Sequence, residues 1–173
     1  MASRNCTNMI SNHEISEFEE KFKELTKIGN PSLKGNPLAV FSLNFSQKPF
    51  YGYVNQSGFR ITKNANIIVI PYLIAGEFKK KGNRTEVKYE IIPMKFGYYW
   101  IRIFPVIFNI LGLIALVINY KSIEFETLNF AKVLFVLLLI EVFFLLPLII
   151  TEILKARFEK KFLKELKIQN SDK

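Results

Sequence analysis

Residues able to do chemistry are few in this chain, and none stands at a spacing that names a reaction. His13 is the only histidine and Cys6 the only cysteine. Neither a metal cluster nor a Ser/His/Asp or Cys/His nucleophile can be assembled from them. Cys6 is a free thiol, with no second cysteine to close a disulfide. Adjacent carboxylates such as Glu19 and Glu20 belong to a charged helix face, whereas a paired-acid catalyst needs its carboxylates in a cleft. Neither G-x-x-x-x-G-K-S/T nor G-x-G-x-x-G occurs, so the phosphate-cradling and dinucleotide loops are missing. The expectation is a protein with no enzymatic activity, no metal and no cofactor.

What remains is a polar pair in an apolar setting and a set of surface cations. Glu141 is the one acid deep within a long aliphatic stretch. Counted back from the loop expected between two apolar segments, it falls level with Asn109. An acid held in hydrocarbon costs a few kcal/mol on insertion scales, which favours a protonated side chain or a polar partner. Asn109 can supply that partner, at about 1 kcal/mol for a hydrogen bond between helices. The pair reads either as a structural pin or as a proton or ion site of an accessory subunit to a transporter or channel.

The elements that would position these groups are legible as changes of period. Residues 11–28 read as an amphipathic helix, with Ile15, Phe18, Phe22 and Leu25 at three- and four-residue spacing. Ser11 and Glu14 fit a capping box, and Gly29 before Asn30-Pro31 supplies the stop. From 38 to 92 the period becomes two. Phe41, Leu43 and Phe45 share a face, as do Phe50, Gly52 and Val54, then Ile74, Gly76 and Phe78, then Val87, Tyr89 and Ile91. Turn residues at Gln56–Gly58 and Lys81–Arg84 separate the runs. An antiparallel meander of four to six strands is expected, covered on its apolar face by the 11–28 helix or resting on a membrane surface.

Charge and hydropathy divide the chain more sharply. Half of its 173 residues are hydrophobic and 23% are charged, yet 98–150 contains only six charged residues, Arg102, Lys121, Glu124, Glu126, Lys132 and Glu141. Such segregation marks a membrane part beside an aqueous part. Residues 98–120 and 128–150 are each long enough to span, the first reaching about 34 Å as a helix. Tyr98, Tyr99, Trp100 and Tyr120 stand where interfacial anchors belong. The expected organisation is a cytoplasmic helix and β domain over 1–97, a transmembrane hairpin with a short extracytoplasmic loop at 121–127, and a basic tail over 151–173. The fold class is thus an α+β membrane protein. The first 30 residues lack an apolar signal region, so insertion is expected to depend on the internal segments.

The net charge of +9 is distributed as +6 over 1–97 and +3 over 151–173. The cations flank the apolar region rather than its loop, which predicts a multi-pass protein of the cell membrane with both termini cytoplasmic. In that setting the basic excess suits anionic lipid and topology, and no nucleic-acid partner is expected. The tail repeats Leu154, Phe158, Phe162 and Leu166 at every fourth position among Lys and Arg. A stripe of this kind lies on anionic lipid, packs against the acidic 11–28 helix, or does neither and carries its charges as an ordinary solvated face.

The residues Phe50-Tyr51-Gly52-Tyr53-Val54, Phe59-Arg60-Ile61, Pro71-x-x-Ile74-x-Gly76-x-Phe78 and Thr85-x-Val87 cover about a quarter of the chain. That stretch resembles a loose group of small, uncharacterised bacterial membrane proteins with a β-rich cytoplasmic domain before a membrane hairpin. The sheet-plus-helix plan is also similar to bacterial pleckstrin-homology-type modules, although the helix here precedes the strands. The resemblance implies a membrane-tethered β module without implying an activity. The expected role is a membrane-anchored module binding a protein partner, a second copy or anionic lipid. Its candidate contacts are Tyr51, Tyr53, Arg60, Lys63, Lys79, Lys80 and Lys81 on the strands and Lys155, Arg157, Lys160 and Lys161 on the tail.

Overall fold

A computed structural model describes residues 6–34, 46–56, 58–64, 70–118 and 130–170. The strand expected around Phe41–Phe45 and the loop expected at 121–127 lie outside the described residues. The chain divides into two compact units, one formed by Met1–Tyr98 with Leu154–Lys173 and the other by Tyr99–Ile153.

The first unit is built on strands β1 (Thr7–Ser11), β2 (Thr26–Ile28), β3 (Phe50–Asn55), β4 (Gly58–Lys63), β5 (Tyr72–Lys81), β6 (Arg84–Pro93) and β7 (Ile168–Asn170). They make one sheet in the order β2-β3-β4-β5-β6-β1-β7. The four central strands are the expected meander. Asn55 Oδ1 accepts the Gly58 N–H at 2.9 Å to tighten the β3–β4 turn. Gly82, with φ 63°, opens the two-residue β5–β6 turn.

The outer strands differ from expectation. The sheet is mixed rather than antiparallel, because β2 runs parallel to β3. Among the described residues it also has seven strands rather than four to six, since β1, β2 and β7 come from segments that read as helix or polar flank. Helix α1 accordingly spans Ile15–Leu25 and not 11–28. Ser11 does not cap it: its hydroxyl donates to the Leu166 carbonyl at 2.7 Å, inside the unit. At the other end Thr26 leaves the helix to pair with Phe50, and the Gly29 N–H extends that ladder to the Gly52 carbonyl at 2.9 Å. Ladder bonds satisfy the flanking backbone groups that a longer helix would otherwise have held.

One turn of helix, α2, occupies Pro31–Lys34, and two long helices follow, α3 (Lys95–Ile118) and α4 (Phe130–Glu165). Phe18 and Phe22 of α1 and Phe158, Phe162 and Leu166 at the end of α4 bury against Phe50, Phe59, Ile61, Ile74, Phe78, Val87 and Tyr89 of the sheet. Phe162 sits at the centre, with ring centroids 5.3 Å from Tyr89, 5.6 Å from Phe59 and 6.0 Å from Phe22. The apolar stripe of the tail is therefore core. A surface-lying lipid helix would leave Phe158 and Phe162 available to lipid, and here they are 4% and 0% exposed.

The second unit holds the apolar stretches. Phe144 packs on Phe108 and Phe104 at 4.2 and 5.9 Å, and Arg102 pairs with Glu152 at 3.0 Å. The expected two-helix transmembrane hairpin is not found. Among the described residues one helical segment, Lys95–Ala115, is long and apolar enough to cross a membrane. The helix α4 does not end with its apolar residues. It runs unbroken through the expected boundary at 150 into charged residues that belong to the first unit. Among the described residues the fold is α+β with a seven-stranded mixed sheet and no separate tail helix.

Candidate functional site

The one histidine stands at the start of α1, held from both ring nitrogens. Nδ1 lies 2.7 Å from Glu17 Oε1 and Nε2 lies 3.4 Å from Lys21 Nζ. Its backbone carbonyl accepts the Thr85 hydroxyl at 2.9 Å. The neighbouring Ser11 hydroxyl is committed to the Leu166 carbonyl and not to the imidazole. The Thr85 bond ties the start of α1 to β6, an inner strand of the sheet, and among the described residues no group of three His, Cys, Asp or Glu is placed to hold a metal.

The sheet face turned away from the helices carries one part of the expected contact set. Tyr53, Arg60, Ala75 and Glu90 follow one another across β3, β4, β5 and β6 in register. The small Ala75 beside Arg60 leaves space, and Leu73 and Ile92 pair further along β5 and β6. Here a cavity of about 380 Å³ opens, lined by Arg60, Ser32, Leu73, Ile92, Lys95 and Phe96 among others. Two cations and a hydroxyl over an apolar floor suit an acidic group with a hydrocarbon body. Tyr51 is half-buried on the same face, against Gly29.

The Lys79–Lys81 run does not join this set. It lies at the far hairpin end of β5, with Lys79 on Glu77 at 3.2 Å and Lys81 on Glu86 at 3.1 Å. Both are neutralised locally, and Lys80 stands between them, exposed.

A second gathering of cations forms where β4 ends against α4. Lys63 is opposite Phe50 in register, and Phe50 touches Phe158 and Phe162 at 6.1 and 6.4 Å. Arg157 and Lys161, each one residue before those phenylalanines, are thereby brought to Lys63. Burial, then Lys161, then Arg157 hold the Lys63 ammonium below the usual lysine range. Lys155 points elsewhere, 4.9 Å over the Tyr72 ring, and Lys160 is exposed. On the buried side of the same helix the Tyr89 hydroxyl donates to Glu159 at 2.9 Å. Burial first, and that carboxylate second, push the phenol well above the ordinary tyrosine value.

In the other unit Asn109 Nδ2 lies 3.4 Å from Glu141 Oε2, long for a hydrogen bond. Of the expected residues, Arg60 lies with Tyr53, Lys63 with Arg157 and Lys161, and Asn109 with Glu141, while Lys79–Lys81 and Lys155 stand apart from all three. Ser32, Lys95 and Phe96 were not expected. Their one signal is the switch from period two to an apolar helix at 93–98, which marks an edge where a sheet and a helix start share a wall. No family model matches the chain, and no curated protein or solved structure matches it either.

Proposed function

We propose that the chain is a membrane-anchored, non-enzymatic binding module. In this reading Tyr99–Ile153 is held in lipid, and the sheet unit binds an acidic group of a protein partner or an anionic lipid from the cytoplasmic side. One contrast carries the reading. Phe18, Phe22 and Phe162 of the sheet unit are fully buried, while Val117, Ile118 and Phe143 of the other unit are 76%, 74% and 71% exposed. Apolar patches beyond a few hundred Å² are rare on soluble monomers and mark membrane or partner contact. The pairing of β1 with β7 adds that the chain's two flanks belong to one body. The excess of Lys and Arg in those flanks favours the cytoplasmic side.

Extraction of the full chain tests the anchor. It is expected to need detergent, and a monodisperse chain in plain buffer would overturn the reading. Cys6 is exposed, so an impermeant maleimide tests the side: labelling in intact cells would reverse the orientation. Charge reversal at Arg60 is expected to weaken ligand binding at the outer cavity while leaving the fold intact.

A second reading, an accessory subunit of a transporter or channel, is favoured by the approach of Asn109 to Glu141. It requires Glu141→Gln to abolish flux or assembly. A structural pin predicts near-normal behaviour, because glutamine keeps the partner.

A further inference from the structure

Lys63, Arg157 and Lys161 present a cost that folding alone does not explain. Arg157 and Lys161 stand one helical turn apart on α4, a like-charge spacing that is mildly unfavourable. The sheet then brings a third cation, Lys63, against them on a half-buried inner-face position at the end of β4. Among the described residues none of the three forms an ion pair, and Glu165, one turn beyond Lys161, does not reach it. Glu159, between the two helix cations in sequence, is turned the other way to take the Tyr89 hydroxyl. The helix macrodipole favours cations in the last turn and so accounts for Lys164. It does not account for Lys63, which is on another element.

We propose that Lys63, Arg157 and Lys161 form a binding site for the phosphate of an anionic lipid headgroup. The chemistry is that of a phosphate: Arg157 offers a planar fork of donors, and the two ammonium groups add point charge from either side. Burial, the larger cause, and then the Lys161 and Arg157 charges hold the Lys63 amine below the usual lysine range, in keeping with a cluster that has, among the described residues, no carboxylate beside it. Lipid is favoured over a soluble phosphate by position along the chain. Arg157 and Lys161 stand one and two turns past Ile153 on the same helix, and the exposed apolar residues of α4 run up to Ile153. Basic residues just beyond an apolar helical segment meet the headgroup layer. The proposal rests on the membrane-anchored reading and makes it specific, placing a lipid contact on the helix side of the sheet, apart from the outer cavity around Arg60.

The test uses the full chain in nanodiscs of phosphatidylcholine with or without phosphatidylglycerol, reading acylation of Lys63 by an amine-reactive reagent through mass spectrometry. Phosphatidylglycerol is expected to slow labelling of Lys63 while leaving Lys80 unchanged. Arg157→Gln or Lys161→Gln should each raise the phosphatidylglycerol fraction needed for half-protection about fivefold, the usual worth of one basic residue near an anionic surface. Arg157→Lys should retain most of the protection, and the control K79Q/K81Q should retain all of it. Equal labelling of Lys63 in both kinds of disc overturns the site. Equal protection by millimolar inorganic phosphate in plain phosphatidylcholine discs overturns the lipid source, leaving a soluble anion as ligand. A chain that incorporates stably into both discs with Lys63 unprotected refutes only this site, whereas one that enters neither refutes the anchored reading itself.

Discussion

Truncating Phe162 to alanine separates a tail that belongs to the core from a tail that lies on lipid. Phe162 is fully buried, and its ring meets those of Phe22, Phe50, Phe59 and Tyr89. It meets α1 and three sheet strands at once. Removing a buried phenylalanine costs about 3–5 kcal/mol in transfer and cavity terms. Small domains are held by about 5–15 kcal/mol, so Phe162→Ala is expected to remove a large part of the unit's stability. With a urea dependence of about 2 kcal/mol per molar, the midpoint should fall by about 2 M. The assay is hydrogen exchange of β1, β6 and β7 amides in the reconstituted chain as urea is raised. Phe162→Leu keeps most of the volume and should cost less than about 1.5 kcal/mol. Phe143→Ala, on an exposed residue of the other unit, should leave the sheet amides unchanged. A loss under about 1 kcal/mol for Phe162→Ala, set against about 3–5 kcal/mol for a true core position, would refute the packing of this ring between α1 and the sheet. Weakened lipid contact without sheet destabilisation would restore the surface-helix alternative.

Three other outcomes follow from the same core. Removal of residues 154–173 takes Phe158, Phe162, Leu166 and β7 from the sheet unit, so protease should digest 1–98 in the shortened chain and spare it in the whole one. Gly76 lies between Phe59 and Tyr89 in register, and a Cβ there would meet the Lys88 carbonyl and stand 2.9 Å from the Phe59 ring. Gly76→Ala should therefore lower the urea midpoint, at a cost of about 1–3 kcal/mol typical of overpacking. Tyr89 has a folded pKa raised above its unfolded value, so its contribution is complete below the ordinary tyrosine pKa of about 10 and is lost as pH rises beyond it. Tyr89→Phe should flatten that alkaline fall in stability, and an identical slope in both proteins would show that the phenol is not responsible.

The central meander could be read from residues because its strands are long and alternate plainly, as in Val87, Tyr89 and Ile91. Both helices of the core were also legible as stripes, Phe18 with Phe22 and Phe158 with Phe162. What spacing alone did not decide was the partner of the second stripe. An apolar face beside a long apolar segment fits lipid and a sheet equally well, and the choice depends on contacts between residues more than a hundred positions apart. The short strands β1, β2 and β7 were missed for a related reason. Three to five residues carry too little alternation to register, and Thr26 and Ser11 read as helix ends until a neighbouring strand is available. In the candidate sites, residue type marked Arg60, Lys63, Arg157 and Lys161 as cations. Register and helix phase then decided that Lys63 joins the last two and that Arg60 does not.

The order of the elements carries a consequence for assembly. β1 is made first and β7 last, yet the two are neighbours in one sheet, with the Ser11 hydroxyl bonded to Leu166 across 155 positions. Until residues 154–170 arrive, the inner face formed by Phe50, Phe59 and Tyr89 has only α1 to cover it. Contacts so distant in sequence close late, because the loop entropy precedes their reward. The apolar segment Tyr99–Ile153 is synthesised within that interval. That segment is therefore made while the sheet is still open, and α4 closes onto Phe22 and Phe59 only afterwards. Because the aromatic anchor of the core lies beyond that segment, the sheet unit cannot be completed until the whole of Tyr99–Ile153 has been made.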